Sequence, residues 1–392
     1  MDHTATVHDV LIVGAGPAGL ALGAELQRLG TSSFIVDQLA AGANTSRAVA
    51  IHARTLEVLE PLGVVPELIS HGLVTTTFRI RDRDRILATF SFKDLKTNYP
   101  FVLLCPQNRT ETILLQRLES LGGSVSRPHK VTAIRPAQEK QQEDVEVQFE
   151  GQAGLQTVRA RWVVGCDGAH SVVREQAGIP FQGGAYDEDF ILADVEMDSP
   201  FDREEVDLFF SDQGLVVVAP LPGNHFRIVA TVDHAPENPS LADFQKILDQ
   251  RGPTTSPATI RNLAWSTRFH IQHRVAQSLR KGRVLLVGDA AHVHSPAGGQ
   301  GMNTSIQDAV SLADVLHGIV SEHADLSTLD AWEHKRLEIA RSVVNLTDRM
   351  TKAVTVKSTA AKLMRNAVVD IIGHIPAAQH AIAERLSELD NR

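Results

Sequence analysis

Apolar and polar positions change period several times along this chain, and each change predicts an element. Four consecutive apolar positions, Val10-Leu11-Ile12-Val13, read as a parallel strand buried on both faces. The run breaks at Gly14 and resumes with helical spacing to about Gly30, and a second strand, Ser33 to Val36, ends on Asp37. A polar loop follows from Gln38 to Ser46, broken by Gly42 and Asn44; Arg54 to Leu62 then reads as a short amphipathic helix ended by Gly63. From Thr75 the period falls to two. Thr75 to Ile80 and Ile86 to Phe92, with charged Arg81 to Arg85 between them, predict a hairpin that leaves the first sheet.

Helical spacing returns at Ile113, Leu114 and Leu118, in a helix to about Leu121 with Asn108 as its expected cap and Glu111 completing a capping box. Val131 to Val163 reads as three short strands, with the hydrophilic run Gln138 to Asp144 as an exposed turn. Residues 207–210, 215–219 and 226–232 read as antiparallel strands in a β-rich stretch from Phe181 to Trp265, where Ser240 caps one helix reaching about Arg251. The parallel pattern resumes at Arg283 to Val287, and a long helix runs to about Val320. Beyond Ser327 the chain is helical to Glu388, interrupted at Gly373 and Pro376. Leu363, Val368, Ile371 and Ile372 suggest an amphipathic piece laid against the body.

Composition narrows the class. The 392 residues suffice for more than one structural unit, and 43% hydrophobic with 22% charged residues is globular composition. A net charge of −9 argues against nucleic acid or an anionic membrane as partner. No apolar run reaches the ~20 residues of a membrane span. The polar Met1 to His8 stretch predicts no leader, so a cytoplasmic protein is expected. Cys105 and Cys166 sit in apolar segments and read as small buried hydrophobes rather than a disulfide or metal pair.

The candidate chemistry lies where strands turn into helices. Gly14-Ala15-Gly16-Pro17-Ala18-Gly19 follows a strand and opens a helix, the arrangement that cradles a dinucleotide pyrophosphate. Asp37, about 20 residues on, suits ribose hydroxyls, with Gln38 beside it. Arg47 is a candidate phosphate contact, against a solvent-facing alternative. Gln107 stands at a helix entry, where loop satisfaction is the plainer reading. A second strand–turn–helix unit carries Gly165-Cys166-Asp167-Gly168. A third carries Gly288-Asp289-Ala290-Ala291-His292 and the bare run Pro296-Ala297-Gly298-Gly299-Gln300-Gly301-Met302-Asn303. Asp289 can reach sugar hydroxyls, and the glycines expose backbone N–H groups at a helix start. His292 and His294 lack a third ligand in register, so no metal is expected there.

Together, in this order, the three motifs resemble the single-component FAD-dependent aromatic hydroxylases of the p-hydroxybenzoate hydroxylase type. Ser46-Arg47-Ala48-Val49-Ala50-Ile51-His52-Ala53-Arg54-Thr55-Leu56-Glu57 is similar to the phenolic-acid and polyketide hydroxylase branch. The likeness covers about the first 350 residues. It implies an α/β fold: a Rossmann-like FAD-binding domain of glutathione-reductase type, an inserted β-sheet-rich substrate domain and C-terminal helices. The expected division is 1–74, 100–180 and 275–355 for FAD, 75–99 and 181–274 for substrate, and 356–392 for a helical segment. By the same resemblance Gly14, Gly16, Pro17, Ala18 and Gly19 would hold the pyrophosphate and Asp37 the adenosine ribose, where many relatives carry Glu. Arg47 would lie near the pyrophosphate and Gln107 near the ribityl chain. Asp167 and Gly168 match a motif tied to both FAD and nicotinamide. Gly288 and Asp289 would bind the ribityl or pyrophosphate region, and Pro296, Gly299, Gly301, Met302 and Asn303 would line the flavin ring.

The resemblance implies NAD(P)H reduction of FAD, a flavin C4a-hydroperoxide, and hydroxylation of a phenolic or heteroaromatic ring in a dry pocket. NADH and NADPH are not distinguished, and no catalytic base is assigned. Phe209, Phe210, Val216, Val218, His225 and Arg227, with Pro296, are pocket candidates, of which alternation lets only about half face inward. The expected partners are a small aromatic substrate and O2, with no nucleic acid and no membrane; a homodimer is left open. Two alternatives stand beside this reading. One is another FAD-dependent oxidoreductase, a dehydrogenase, reductase or halogenase. The isolated Trp162, Trp265 and Trp332 count against the halogenase, whose motif is Trp-x-Trp-x-Ile-Pro. The other is a non-catalytic dinucleotide-binding protein.

Overall fold

Two eight-stranded sheets and a small three-stranded one carry the chain in the computed structural model, which describes residues 7–42, 47–135, 144–152, 154–356 and 358–392. Asn44, most of the Gln138 to Asp144 turn and the first residues of the polar Met1 to His8 stretch lie outside the described residues. The first sheet is built on parallel strands Val7–Val13, Ser33–Val36, Gly154–Gly165 and Val284–Leu286. Its centre is the apolar run of the opening strand: Val10, Leu11 and Ile12 are wholly buried in a core shared with helix Pro17–Leu29 and with Val131, Ile134, Val145, Val147 and Phe149. Helix Pro17–Leu29 lies on one face against helices Gly301–Ser321 and Gln107–Ser120. The last of these starts at Gln107 behind Pro106, with no side-chain cap. Asn108 is therefore not the cap, and Glu111 accepts from Gln107 Nε2 at 2.8 Å instead of closing a capping box.

The second sheet runs in the order His292–Val293, Thr259–Ala276, Phe181–Asp198, His225–Val232, Gly214–Pro220, Glu205–Ser211, Thr77–Asp82, Arg85–Ser91. The hairpin at Thr77 joins it as expected, by a parallel pairing with Glu205–Ser211. Two strands of 18 residues, Phe181–Asp198 and Thr259–Ala276, form its backbone. Their register slips at Ala185/Asp189, Asp194/Val195 and Glu196/Met197, which erases a clean period of two in sequence. Arg274↔Val293 and Val275↔His292 pair this sheet directly to the segment behind Asp289.

Helix Leu241–Arg251, with its Ser240–Asp243 capping box, covers the outer face of the second sheet. Phe244, Ile247 and Leu248 pack there on Phe209, Val216, Val218, Phe226 and Ile228. That corrects part of the pocket expectation. Phe209, Val216 and Val218 point away from the first sheet, because a second helix layer claims their face. The opposite face carries Leu208, Phe210, Val217, Arg227 and Val229 by strand alternation.

The C-terminal helices Ser327–Val354, Thr359–Ile372 and Pro376–Leu386 close the fold. Helix Thr359–Ile372 is laid on the second sheet, but not by its apolar stripe. Leu363, Val368 and Ile371 are exposed, whereas Arg365 is buried. Arg365 Nη2 donates to the Phe210 carbonyl at 3.1 Å and Asn366 Nδ2 to Asp82 at 3.0 Å, so the polar side faces inward. Of the four residues expected against the body, only Ile372 packs there.

Candidate functional site: a recess at the carboxyl ends of the parallel strands

The three motifs meet where neighbouring parallel strands end. The Cys166 amide donates to the Val13 carbonyl at 2.7 Å, the Gly14 amide to Val36 at 2.8 Å, and the Val287 amide to Gly165 at 3.0 Å. Carboxyl ends of adjacent strands are where open parallel sheets bind ligands. The glycines there have different reasons. Gly14 holds φ +102°, and a Cβ on it would overlap the Cys166 carbonyl; a Cβ on Gly19 would overlap the Gly14 carbonyl. Both are required by the protein's own packing. Gly16 is not: a Cβ there would meet nothing within 4 Å. The bare position faces open space at a helix start with Pro17 in its first turn, a cradle fitted to something the chain does not itself supply. Gly288, at φ +64°, lets the third motif pass close to Ala18 and Ser305.

Asp37 does more than wait for a ligand. Its Oδ2 accepts the Ala15 amide at 2.7 Å and its Oδ1 the Leu39 amide at 2.7 Å, which fixes the glycine turn and leaves lone pairs outward. Gln38 is exposed beside it. Arg127 was missed by sequence reasoning. Its Nη2 donates to the Ala15 carbonyl at 3.2 Å while its buried Nε has no partner. It follows a strand of only two residues, so no pattern marks it.

Asp289 is accessible to solvent, yet burial among surrounding protein atoms pushes its carboxyl pKa up, against the pull of His292 and Arg47. A carboxyl both reachable and desolvated lines a deep recess. Arg47, itself exposed, lies near enough to act on it. Asp167 is spent locally. Its Oδ1 accepts from Ser171 Oγ at 2.5 Å and its Oδ2 from the Val173 amide at 3.1 Å, holding the helix Val172–Ala177. Burial raises its pKa, against those hydrogen bonds. Gly168 holds φ +82°, and the residues just after it, Ala169 and His170, line a cleft of about 360 Å³ with Arg174, Glu175, Gln272 and Arg274 among others. Gln107 takes the plainer role, its Oε1 accepting the Ala48 amide at 3.2 Å.

The bare loop before helix Gly301–Ser321 is held from behind. His52 is fully buried, and its Nε2–H donates to the Gly298 carbonyl at 2.8 Å. Gln300 Nε2 donates to the carbonyls of Gly298 (3.1 Å) and Leu386 (2.9 Å). Asn303 Nδ2 donates to Gly299 (2.7 Å) and Ala50 (2.8 Å) and its Oδ1 accepts the His52 amide at 2.8 Å. With these carbonyls tied inward, the unbonded N–H groups of the first helical turn are what the loop offers outward. The side chains of Asn303 and Met302 therefore face the body, not the recess; Pro296 stands exposed at its mouth. Burial lowers the His52 pKa to about 4, so the ring is neutral and can serve as a fixed donor. His294 is likewise lowered to about 4, chiefly by burial, and its buried Nε2 has no partner. His292 bonds Asp308 at 2.6 Å, and Asp308 also pairs with Arg336. Among the described residues no metal-binding group occurs.

Arg227 turns out to be a clamp. Its Nε and Nη2 bind Asp194 at 2.8 and 2.9 Å, and Nη1 donates to the Arg47 and Ala48 carbonyls at 2.9 and 3.1 Å. His225, on the same face, is half-exposed at the strand's end, 3.8 Å from Glu196. Glu388 seals the back of the loop. Thr304 Oγ1 donates to it at 2.9 Å, Gln307 Nε2 also donates, and burial pushes its pKa up to about 8. A carboxyl titrating near 8 when folded and near 4.3 when unfolded holds its proton more tightly in the native state. Stability from this group is thus full below about pH 4.3, declines as pH rises, and is lost above about pH 8. The expected slope approaches about 1.4 kcal/mol per pH unit inside that window. Glu388→Gln should remove it, so urea melts of the two proteins should diverge as pH rises from 5 to 8. Parallel curves would refute the assignment.

A family model described as an FAD binding domain matches residues 7–347. The chain is 34% identical over 360 residues to the 6-methylpretetramide 4-monooxygenase of Streptomyces rimosus, covering 90% of this chain and 63% of that protein. It thus spans less than two thirds of that relative's length. Among solved structures, the anhydrotetracycline hydroxylase of Streptomyces rimosus superposes with a TM-score of 0.82 at 29% identity, covering 98% of this chain and 76% of that one. The p-nitrophenol 4-monooxygenase of Pseudomonas putida DLL-E4 shares the fold with a TM-score of 0.87 at 24% identity, covering 99% of this chain and all of that one.

Proposed function

The chain belongs to the FAD-binding domain family of aromatic hydroxylases, and from that premise we propose that it is a monooxygenase that uses FAD, NAD(P)H and O2 to hydroxylate an electron-rich phenolic or polyketide ring. The observation that carries this reading is Gly16, bare with nothing of the protein in its place, at a convergence of three strand ends. The pyrophosphate of FAD would fit there, held by the amides of the helix start that Gly16 and Pro17 open, with Arg127 and Arg47 as neighbouring cations. Asp37 would take the adenosine ribose. Asp289 would meet the hydroxylated chain, and its raised pKa suits a carboxyl covered by a ligand.

The chemistry FAD supplies when bound is acceptance of a hydride from NAD(P)H and activation of O2 for transfer to the ring. The protein's share is placement and dryness. His52, Gln300 and Asn303 hold the loop so that its amides, without side-chain bulk, would be free to meet the ring system. Leu208, Val217 and Val229, partly exposed on the inner face of the second sheet, would give the substrate space an apolar wall. We assign the reductant to the cleft beside Ala169, where Arg274 and His170 would offer donors to phosphate. A cytoplasmic site of action belongs to the same reading, supported by two free cysteines; among the described residues no helix is long and apolar enough to cross a membrane.

The purified protein should be yellow, and NAD(P)H oxidation should rise when a phenol from a panel of phenolic acids and fused polyphenols is added. The product should be heavier by one oxygen. Arg274→Ala should raise KM for NAD(P)H about tenfold with little change in flavin content. A colourless protein that does not take up FAD overturns the reading. FAD binding with no oxygen incorporation across the panel would favour a reductase or dehydrogenase.

A further inference from the structure

Helix Thr359–Ile372 wears its amphipathic pattern inside out. Ala360, Leu363, Met364, Ala367, Val368 and Ile371 form one stripe at helical spacing without a charged member. Leu363, Met364, Val368 and Ile371 are 67, 69, 49 and 62% exposed, and Ile375 beyond the helix is 46% exposed. Half of the ten exposed large hydrophobics among the described residues fall in these 13 positions. The inward side holds Val369 and Ile372, packed on the body, with buried Arg365, bonded to the Phe210 and Ser211 carbonyls, and Asn366, bonded to Asp82. Arg85 fixes Asp370 at 2.8 Å. Rolling the helix to bury its stripe would strand these polar groups, so the stripe is held outward.

We propose that this stripe is an isologous interface with a second copy of the chain, the helices crossing antiparallel at Ala367. A stripe at positions i, i+3, i+4, i+7, i+8 and i+11 is the seam of paired helices. Its centre is small, so two backbones can approach. Leu363 and Met364 of one copy then meet Val368 and Ile371 of the other. The five large side chains expose on the order of 500 Å² of apolar surface, at the upper end of the largest patch on a typical monomer. Two copies together hide about 1,000 Å², where specific interfaces begin, with Ile86 beside Arg85 adding to the rim. The stripe has no charge with which to engage nucleic acid or a charged peptide, and a chain of net charge −9 is repelled by an anionic bilayer.

The test is the oligomeric state of the flavin-loaded full chain by sedimentation velocity at micromolar concentration. The wild type is expected at twice the chain mass. Met364→Lys with Val368→Lys should weaken self-association by at least ~100-fold, with flavin content unchanged and a melting midpoint that no longer rises with protein concentration. Ala367→Cys should give a disulfide-linked dimer under mild oxidation, whereas Ser358→Cys, off the stripe, should not. A monomeric wild type overturns the proposal. So does a dimer that survives the double lysine change, or a wild type that stays monomeric but floats with neutral phosphatidylcholine vesicles.

Discussion

Replacing Gly16 with valine should yield a folded chain that no longer holds flavin. A Cβ at position 16 would touch no protein atom within 4 Å, and the local φ of −77° is open to any residue. The fold therefore loses nothing by the change. A valine side chain would, however, fill the space over the helix start where a pyrophosphate must approach the backbone amides. Loss of those charge-assisted bonds, plus the clash, predicts at least ~100-fold weaker FAD binding. Gly19→Val makes the contrast. Its Cβ would overlap the Gly14 carbonyl, backbone against backbone, so that variant should fail to fold with or without FAD. Apoprotein urea melts and flavin titration separate the outcomes. Wild-type flavin retention by Gly16→Val would move the cofactor elsewhere and take the proposed chemistry with it.

That contrast also marks how far the sequence could be read. The motifs near positions 14, 167 and 289 were legible because strand, tight turn and helix leave a local signature, and their meeting follows from adjacent parallel strands. The inserted sheet was legible in existence but not in facing. Alternation splits Phe209 from Phe210 without saying which side a second helix layer will cover, and only the packing of Phe244 and Leu248 decides it. The two 18-residue strands were hidden by Gly183-Gly184 and by register slips that break the period. Helix 359–372 was misread for a similar reason: hydrophobic spacing shows that a helix has an apolar side, not what covers it. His52 and Glu388 carry no local signal, since their partners lie 246 and 84 residues away.

Arg227 did carry a signal, a charge between Phe226 and Ile228 in a buried strand, but its role is the opposite of a pocket residue. It is 2% exposed and four of its five N–H donors are taken: two bonds to Asp194, two to the carbonyls of Arg47 and Ala48. Trp265 Nε1 adds a third bond to Asp194 at 2.8 Å. The pair thus pins the segment behind Asp37 to the second sheet, at the seam where the recess closes. Arg227→Ala should destabilise the chain by about 3–5 kcal/mol, because Asp194 stays behind as a buried, unpaired charge. Arg227→Met with Asp194→Asn removes that charge while keeping an acceptor for Trp265, and should recover most of the loss in urea melts. It should not recover function. The Arg47 and Ala48 carbonyls lose the guanidinium that ties them to the second sheet, so the segment loosens, water enters, and NAD(P)H oxidation should yield mostly hydrogen peroxide instead of hydroxylated product. A double variant that regains stability and hydroxylates as efficiently as wild type would reduce Arg227 to a packing residue and leave the closure of the recess to other contacts.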